Sequence, residues 1–177
     1  MDELTRLLLD AADGDRAAMA EFVRRTQADV WRFTAHLVDT ATADDLTQDV
    51  YLRALGSAPR FRGEATARTW LLSVARRVAA DEIRRRERRR RAPVPEVDTE
   101  VDPSGSVELR QLVAALDPDR RTAFVLTQVL GLSYVEAASV CGVAVGTIRS
   151  RVARARQDLI GMLGSDDELP GRRAGGA

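Results

Sequence analysis

The chain has 177 residues, 45% of them hydrophobic and 31% charged, which is enough for one ordinary globular domain or two small ones. A single cysteine and a single histidine exclude a disulfide framework and argue against a zinc site, and we predict neither a metal nor a cofactor. No apolar run approaches the roughly 20 residues that span a bilayer, and the N-terminus lacks the basic flank of a secretory signal, so we expect a cytoplasmic protein without membrane contact.

The net charge of zero is the sum of blocks of opposite sign. Residues 60–91 carry twelve arginines and four acids, a charge of +8, whereas residues 1–59 and 92–117 each carry −5. Residues 118–163 are basic again, with a charge of +3. Blocks of this size indicate separate roles along the chain, and the basic ones are typical of nucleic-acid binding. The alternative, solvated faces of random sign, is disfavoured by the +8 block.

Apolar residues recur at helical spacing and strand-like alternation is absent, so we predict an all-α fold. The segment APVPEVDTEVDPSGS, residues 92–106, is rich in proline and acids, and we predict a flexible acidic linker there. The linker divides the chain into two small helical modules, residues 10–91 and 107–163. The polar, glycine-rich residues 164–177 are predicted to form a disordered tail.

In chain order, the first informative element is TADDLTQDVYLRAL, a predicted helix over residues 42–55. Thr42 is its expected N-cap, with Asp44 and Asp45 in the first turn, where the helix dipole favours acids. The core stripe is predicted to consist of Leu46, Val50 and Ala54, and the opposite side mixes Asp45, Gln48 and Asp49 with Leu52 and Leu55. Leucines among exposed acids indicate a surface for a basic partner, or else leucines that neighbouring helices cover.

The next segment is a loop with Phe61 between Arg60 and Arg62, followed by a long predicted helix over residues 68–86. Arginine interleaved with the aromatic side chains of Phe61 and Trp70 suits unstacked single-stranded bases, although core packing is the alternative for both rings. The polar arc of the helix contains Ser73, Arg76, Arg77, Ala80, Asp81 and Arg84.

The C-terminal module contains the pattern of a helix-turn-helix. Ser133 and Glu136 form a predicted capping box that begins a helix, and Gly142 ends that helix. A second helix is predicted to begin near Val145, within a few residues of the turn. Cys141 falls at the inner end of the first helix, where packing is a better explanation than a redox role.

On a helical wheel, the second helix of this pair has a core stripe of Ile148, Val152, Ala155 and Leu159. Its exposed face carries small hydroxyl groups between two rows of arginine: Thr147, Ser150, Arg151 and Arg154 on one side, Arg149 and Arg156 on the other. This arrangement suits a DNA major groove. A solvated amphipathic helix would explain the arginines but not the preceding helix and glycine turn.

Together these motifs resemble the extracytoplasmic-function (ECF, group 4) sigma factors of bacterial RNA polymerase, over about 150 of the 177 residues. DDLTQDVYLRAL resembles sigma region 2.2, FRGEATARTWLLSVARRVAADEIRRR resembles regions 2.3 and 2.4, and LGLSYVEAASVCGVAVGTIRSRVARAR resembles region 4.2. The segments RTWLL, LTQVLGLSY and CGVAVGTIRSRVARAR are most similar to the actinobacterial sigma factor C group. The chain departs from the family at Ala144 and Val145, where serine or proline is common, so the N-cap of the recognition helix is in question.

The resemblance implies a non-enzymatic factor that binds core RNA polymerase and directs promoter-specific initiation, with region 2 and region 4 in the two modules. The residues implied to dock on the clamp helices of the largest polymerase subunit are Asp44, Asp45, Leu46, Gln48, Asp49, Leu52 and Arg53. Those implied to bind and open the −10 element are Arg60, Phe61, Arg62, Trp70, Ser73, Arg76, Arg77, Asp81 and Arg84. Those implied to read the −35 element are Thr147, Arg149, Ser150, Arg151, Arg154 and Arg156.

The resemblance also implies a monomer, nucleoid-associated when bound to polymerase, and a family whose usual regulator is an anti-sigma protein. Two other classes of function fit the sequence less well. A stand-alone helix-turn-helix regulator leaves the acidic helix and the arginine-rich module without a role. A resolvase-like DNA-processing enzyme needs an α/β catalytic domain, which the helical pattern does not provide.

Overall fold

The computed structural model describes residues 1–91 and 106–165, and these parts of the chain contain α-helices and no β-strand. The predicted all-α fold is confirmed. The helices are α1 Glu3–Ala12, α2 Arg16–Leu37, α3 Ala43–Ser57, α4 Ala67–Arg91, α5 Ser106–Ala115, α6 Pro118–Phe124, α7 Tyr134–Cys141 and α8 Val145–Ser165. A 3₁₀ turn, Ala58–Arg60, follows α3, and a π-helical turn, Val125–Val129, follows α6. No helix among the described residues is long and apolar enough to cross a membrane.

The N-terminal module is a bundle in which α2 packs against α1, α3 and α4. Its core contains the fully buried side chains of Phe22, Phe33 and Leu71. Helix α1 begins at Glu3, ahead of the predicted start of the module at residue 10, and its Leu8 is also buried. The backbone N–H of Ala67 donates to the Thr5 hydroxyl at 3.0 Å, so α1 also fixes the start of α4.

The N-terminus of α3 differs from the prediction at Thr42. Thr42 occupies the N-cap position, but its side chain makes no capping hydrogen bond. Its hydroxyl donates instead to Asp39 at 2.9 Å and accepts from Arg86 at 3.0 Å. Arg86 also pairs with Asp39, and hydrogen bonds from Arg86 and Thr42 outweigh burial to hold the pKa of Asp39 below its usual value. The predicted N-cap position is therefore correct, but the expected capping hydrogen bond is absent, because the Thr42 side chain instead links the far end of α4 to the α2–α3 loop.

The C-terminal module contains the predicted helix-turn-helix. Ser133 and Glu136 form a reciprocal capping box, and Gly142 ends α7 with a left-handed φ of 67°. Helix α8 then begins at Val145, and its predicted core stripe of Ile148, Val152, Ala155 and Leu159 is buried. Helix α8 continues through Ser165, two residues into the predicted tail. The rest of that tail lies outside the described residues, as does the predicted linker apart from Ser106.

The two modules pack against each other, chiefly through α4 and α7. Arg68 of α4 donates to Asp29 at 2.8 Å within its own module and to the carbonyl of Leu130 at 2.7 Å in the other. From the opposite side, Arg121 of α6 donates to the carbonyl of Leu37 at 3.1 Å. The apolar face of α4 therefore packs on two sides: part of it lies in the core of the N-terminal module, and α7 of the C-terminal module covers another part.

Candidate polymerase and nucleic-acid interfaces

The outer face of α3 is an acidic surface that also exposes leucine. Asp45, Gln48 and Asp49 are exposed, as is Leu52, at 70% of its full accessibility, and Leu55 at 37%. Neighbouring helices therefore do not cover these leucines, which leaves the partner-surface interpretation. We call the exposed residues Asp44, Asp45, Gln48, Asp49, Leu52 and Leu55 the α3 face.

Two of the predicted docking residues have other contacts. Leu46 is only 5% exposed because it packs into the bundle core, so its predicted place on the docking surface is wrong. Arg53 donates to Asp81 of α4 at 2.7 Å, which pairs a predicted polymerase-binding residue with a predicted DNA-binding one. Hydrogen bonds from Arg53 and Arg84 hold the pKa of Asp81 below its usual value.

A groove between α2 and α3 borders the α3 face. One part has a volume of about 650 Å³ and is lined by Trp31 and Gln48; a second part of about 390 Å³ is lined by Tyr51, Leu52 and Leu55. The indole N–H of Trp31 donates to the Asp44 carboxylate at 2.8 Å, which fixes both side chains at one edge. The groove therefore offers apolar depth beside an acidic rim, which suits an amphipathic basic helix. The sequence did not identify Trp31 of α2 or Tyr51 of α3 as groove residues. Nothing local marks a residue of α2 as facing α3.

An aromatic pocket of about 230 Å³ lies between the loop after α3 and the start of α4. Phe61 and Trp70 are half-buried and pack together with ring centroids 5.3 Å apart at an interplanar angle of 51°. Arg60 and Arg62 flank them and are exposed. The two rings thus pack against each other and also line an open pocket. The geometry therefore combines the packing interpretation with a surface on which an unstacked base could bind.

The polar arc of α4 begins beside this pocket and continues toward the second module. Arg77 donates through Nε to the carbonyl of Ser73 at 3.2 Å, so its side chain lies along the helix, and Arg84 pairs with Asp81. Arg76 is half-buried beside Cys141, and burial raises the pKa of the Cys141 thiol, which disfavours the thiolate form. A cleft of about 240 Å³ separates Arg76, Arg77 and Arg84 from Asp119 and Arg121 of the second module.

The outer face of α8 is open, but its arginines are not equivalent. Arg149, Ser150 and Arg154 are exposed, and the Ser150 hydroxyl donates to the carbonyl of Thr147 at 2.9 Å. Arg151 is only 22% exposed because it pairs with Asp119 of α6, and Arg156 donates to the Gln128 side chain at 2.8 Å. Asp119 and Gln128 lie 32 and 28 residues from their partners, so no local sequence signal identifies them.

The three surfaces described above each carry groups suited to binding a partner. No group of three or more His, Cys, Asp or Glu residues within 1–91 and 106–165 is placed to hold a metal ion. The arrangement consists of one acidic, leucine-bearing face, one aromatic pocket with flanking arginines, and one arginine-bearing helix of a helix-turn-helix.

Both modules of the chain match known protein families. Residues 22–89 match the model of sigma-70 region 2, and residues 106–159 match the model of sigma-70 region 4. The chain is 49% identical over 174 residues to the ECF RNA polymerase sigma factor SigC of Mycobacterium tuberculosis, with 94% of each chain covered. The chain belongs to the ECF sigma factors. An ECF sigma factor is a transcription initiation factor rather than an enzyme, and it acts with RNA polymerase on promoter DNA in the cell interior.

Other ECF sigma factors are similar at lower identity. SigM of Mycobacterium tuberculosis is 32% identical, with 89% of this chain and 83% of SigM covered. The sigma factor RpoE of Bartonella quintana, solved in complex with the anti-sigma factor NepR, matches 84% of this chain and 98% of its own with a TM-score of 0.73 at 27% identity. CnrH, solved in complex with the cytosolic domain of CnrY, covers 93% of this sigma factor and 99% of its own chain with a TM-score of 0.74 at 26% identity.

Proposed function

We propose that this sigma factor reads the −35 element with α8, reads and opens the −10 element with α4 and the aromatic pocket, and docks on polymerase with the α3 face. The single observation that carries the proposal is the separation of these surfaces on one chain. The acidic, leucine-bearing face belongs to α3, the aromatic pocket lies at the start of α4, and the arginine-bearing helix is α8; each of the three is open to a partner.

For the −35 element, Arg149 and Arg154 supply guanidinium groups without a partner among the described residues, and Ser150 supplies a small hydroxyl between them. An exposed arginine on a recognition helix can bond the O6 and N7 atoms of guanine, which contributes about 1–3 kcal/mol of discrimination. Arg151 and Arg156, held by Asp119 and Gln128, are better placed for phosphates on the groove walls, where position matters more than base identity.

For the −10 element, the aromatic pocket accepts a base only after that base leaves the duplex. Phe61 and Trp70 offer ring faces for stacking, and Arg60 and Arg62 attract the neighbouring phosphates. Binding only the open strand shifts the equilibrium from paired to melted DNA. The sigma factor therefore helps melting without doing chemistry.

For polymerase, the α3 face fits a basic helix such as those of the clamp of the largest subunit. Leu52 and Leu55, which are exposed in the free chain, supply apolar surface for the partner to cover, and the surrounding carboxylates steer the encounter. Bound to polymerase in this way at promoters, a single copy of the sigma factor is nucleoid-associated.

The packed arrangement of the two modules fits a free or inhibited form. The −10 and −35 elements are about 25 base pairs apart, or roughly 85 Å at about 3.4 Å per base pair. Modules in direct contact, in a body whose radius of gyration is about 15 Å at this size, cannot reach both elements. Polymerase therefore has to separate α4 from α7, and an anti-sigma protein that stabilises their packing would oppose initiation.

Run-off transcription tests the proposal. The full chain is mixed with core RNA polymerase and a library of promoter templates, and transcripts that require the chain are sequenced. We expect transcripts that share one −35 and one −10 sequence. Promoter binding without polymerase and no dependent transcript would instead identify a stand-alone regulator, and cleaved or recombined DNA would identify a processing enzyme.

A further inference from the structure

The cleft between the two modules brings arginines from both of them together. Its volume is about 240 Å³, with Arg76, Arg77 and Arg84 of α4 on one side and Asp119 and Arg121 of α6 on the other. Four guanidinium groups and one carboxylate therefore line the same small space. Such a lining is positively charged unless other carboxylates compensate for it, so the partners of each group decide what the cleft can bind.

Carboxylates compensate for only part of this charge. Asp119 forms an ion pair with Arg151 of α8, and Arg84 forms one with Asp81 of its own helix. The other three arginines of the cleft form no ion pair with any described residue. Bringing like charges together raises the free energy of the packed modules, and an anion bound between them would lower it.

Arg121 is held at the junction of the modules with part of its hydrogen-bonding capacity unused. It donates to the carbonyl of Leu37 in the first module at 3.1 Å and to the carbonyl of Leu116 in its own module at 3.1 Å. Its Nε atom is buried and has no hydrogen-bond partner. Burial lowers the pKa of Arg121, and the nearby charge of Asp117 offsets this only in part. A buried cation with an unused donor and no paired carboxylate is costly, and an anion in the cleft would reduce that cost.

The size and lining of the cleft indicate which class of anion it suits. Its volume lies below the roughly 300–1,000 Å³ of typical sites for organic ligands, so a small inorganic anion fits better than a nucleotide. Guanidinium groups bind phosphate oxygens in pairs, and three uncompensated ones match an anion with several charges. Leu37 and Ile83 add apolar walls, which lower the local dielectric and strengthen such contacts.

We propose that this cleft binds a small phosphate-type polyanion, of the kind that pyrophosphate represents, and that the bound anion holds the two modules together. The arginines come from α4 and α6, so only the packed form presents the complete site, and binding shifts the equilibrium toward that form. Arg76 and Arg77 also belong to the surface assigned to the −10 element, so the anion opposes promoter recognition. This consequence, unlike the binding itself, rests on the proposed function.

The test is calorimetric titration of the free full chain with pyrophosphate, at constant ionic strength and without divalent metal ions. We expect one anion per chain and an affinity that falls about tenfold or more in Arg76→Gln, because a charge-assisted contact is lost. Arg76 makes no described hydrogen bond, so this change leaves the fold intact. Arg16→Gln removes the same charge from the exposed surface of α2 and is expected to bind like wild type. Equal affinities for Arg76→Gln and wild type would overturn the inference, as would several weakly bound anions per chain.

A second arm asks whether the site needs both modules. Arg68→Ala keeps every arginine of the cleft but removes the link from Asp29 to the carbonyl of Leu130. It is expected to bind pyrophosphate more weakly than Arg32→Ala, which removes the same charge beside the same Asp29. Equal affinities of these two variants, when their X-ray scattering shows different module separation, would place the site on one module and overturn the inference.

A third arm identifies the kind of anion. ADP carries the same diphosphate on a much larger molecule, and it is expected to bind more weakly than pyrophosphate because of the size of the cleft. Equal or tighter binding of ADP would contradict the inference and reassign the site to nucleotides. None of the three arms uses DNA or polymerase. The binding site can therefore fail while the proposed function holds, and the reverse is also true.

Discussion

At the scale of single residues, hydrogen bonding separates the recognition-helix arginines into two kinds. Arg149 and Arg154 are exposed without a described partner, whereas Asp119 and Gln128 hold Arg151 and Arg156 in place. A held guanidinium has less entropy to lose when it meets a phosphate, and a free one can adjust to a base edge. We therefore assign base recognition to Arg149 first.

The variant Arg149→Ala is expected to lose about 1–3 kcal/mol of discrimination at one base pair of the −35 element, because a bidentate guanine contact is removed. Affinity for core polymerase should stay unchanged, since α8 lies away from the α3 face. Electrophoretic binding to a set of −35 single-base variants measures the first effect, and a polymerase pull-down measures the second. Arg16→Ala serves as the control. Equal losses in both assays would contradict the assignment.

The charge on Glu136 contributes to the stability of the helix-turn-helix in a pH-dependent way. Hydrogen bonds from the Ser133 side chain and backbone lower the pKa of Glu136 from its ordinary value of 4.5. A group whose folded pKa is depressed stabilises the fold above its unfolded pKa, and this contribution is lost as pH falls through the folded value. Glu136→Gln keeps the capping geometry but removes the charge.

The melting temperature of Glu136→Gln is therefore expected to lie below that of wild type at pH 7, and the difference should shrink as pH falls from about 5 toward 3. Thermal denaturation followed by circular dichroism at several pH values measures this. The exposed Glu64→Gln is the control for a general change of charge. A difference that stays constant down to pH 3 would show that the Glu136 charge does not act through the cap.

At the scale of helices, α3 combines a buried stripe with an exposed face that lacks a partner in the free chain. The variant Asp49→Arg is expected to weaken binding of core polymerase at least about tenfold, because it places a cation where the proposed partner is basic. Binding of α8 to −35 DNA should not change. Asp10→Arg, an exposed acid on α1, is the matched control. Unchanged capture of polymerase by Asp49→Arg would contradict the docking proposal.

Helix ends that depend on nearby residues could be predicted from the sequence, whereas contacts between distant helices could not. Ser133, Glu136 and Gly142 act within one or two turns of chain, so the helix-turn-helix could be predicted from local rules and is confirmed. The contacts of Thr42 could not be predicted in this way, because its hydroxyl hydrogen-bonds to Asp39 and to the distant Arg86. The exposed leucines of α3 were left open by the sequence, since the helical wheel places a side chain on a face but does not show which neighbours cover it. Most of the predicted site residues do lie at the surface. The hydrogen bonds that hold Arg53, Arg151 and Arg156 could not be predicted, because their partners are distant in the sequence.

At the scale of the whole molecule, contact between α4 and α7 holds the two DNA-binding modules together. Arg68 is the central link, because it bonds Asp29 in one module and the carbonyl of Leu130 in the other. Arg32 pairs with the same Asp29 without any described contact to the second module. This difference makes Arg32 a matched control for Arg68.

Arg68→Ala is expected to shift the free chain toward separated modules, with a larger radius of gyration in small-angle X-ray scattering than Arg32→Ala. Its affinity for −35 DNA in the absence of polymerase should rise or stay the same, because α8 is already exposed. Identical scattering curves for the two variants would show that Arg68 does not hold the modules together.

The measurement that tests the central claim most directly is run-off transcription with purified core polymerase and templates in which the −35 and −10 elements selected by the chain are replaced one at a time. We predict transcription only when both elements and the full chain are present. Arg149→Ala is expected to change the response to substitutions in the −35 element but not in the −10 element, and Asp49→Arg is expected to be inactive on every template. Transcription that persists when either element is replaced would contradict the account, as would full activity of Asp49→Arg.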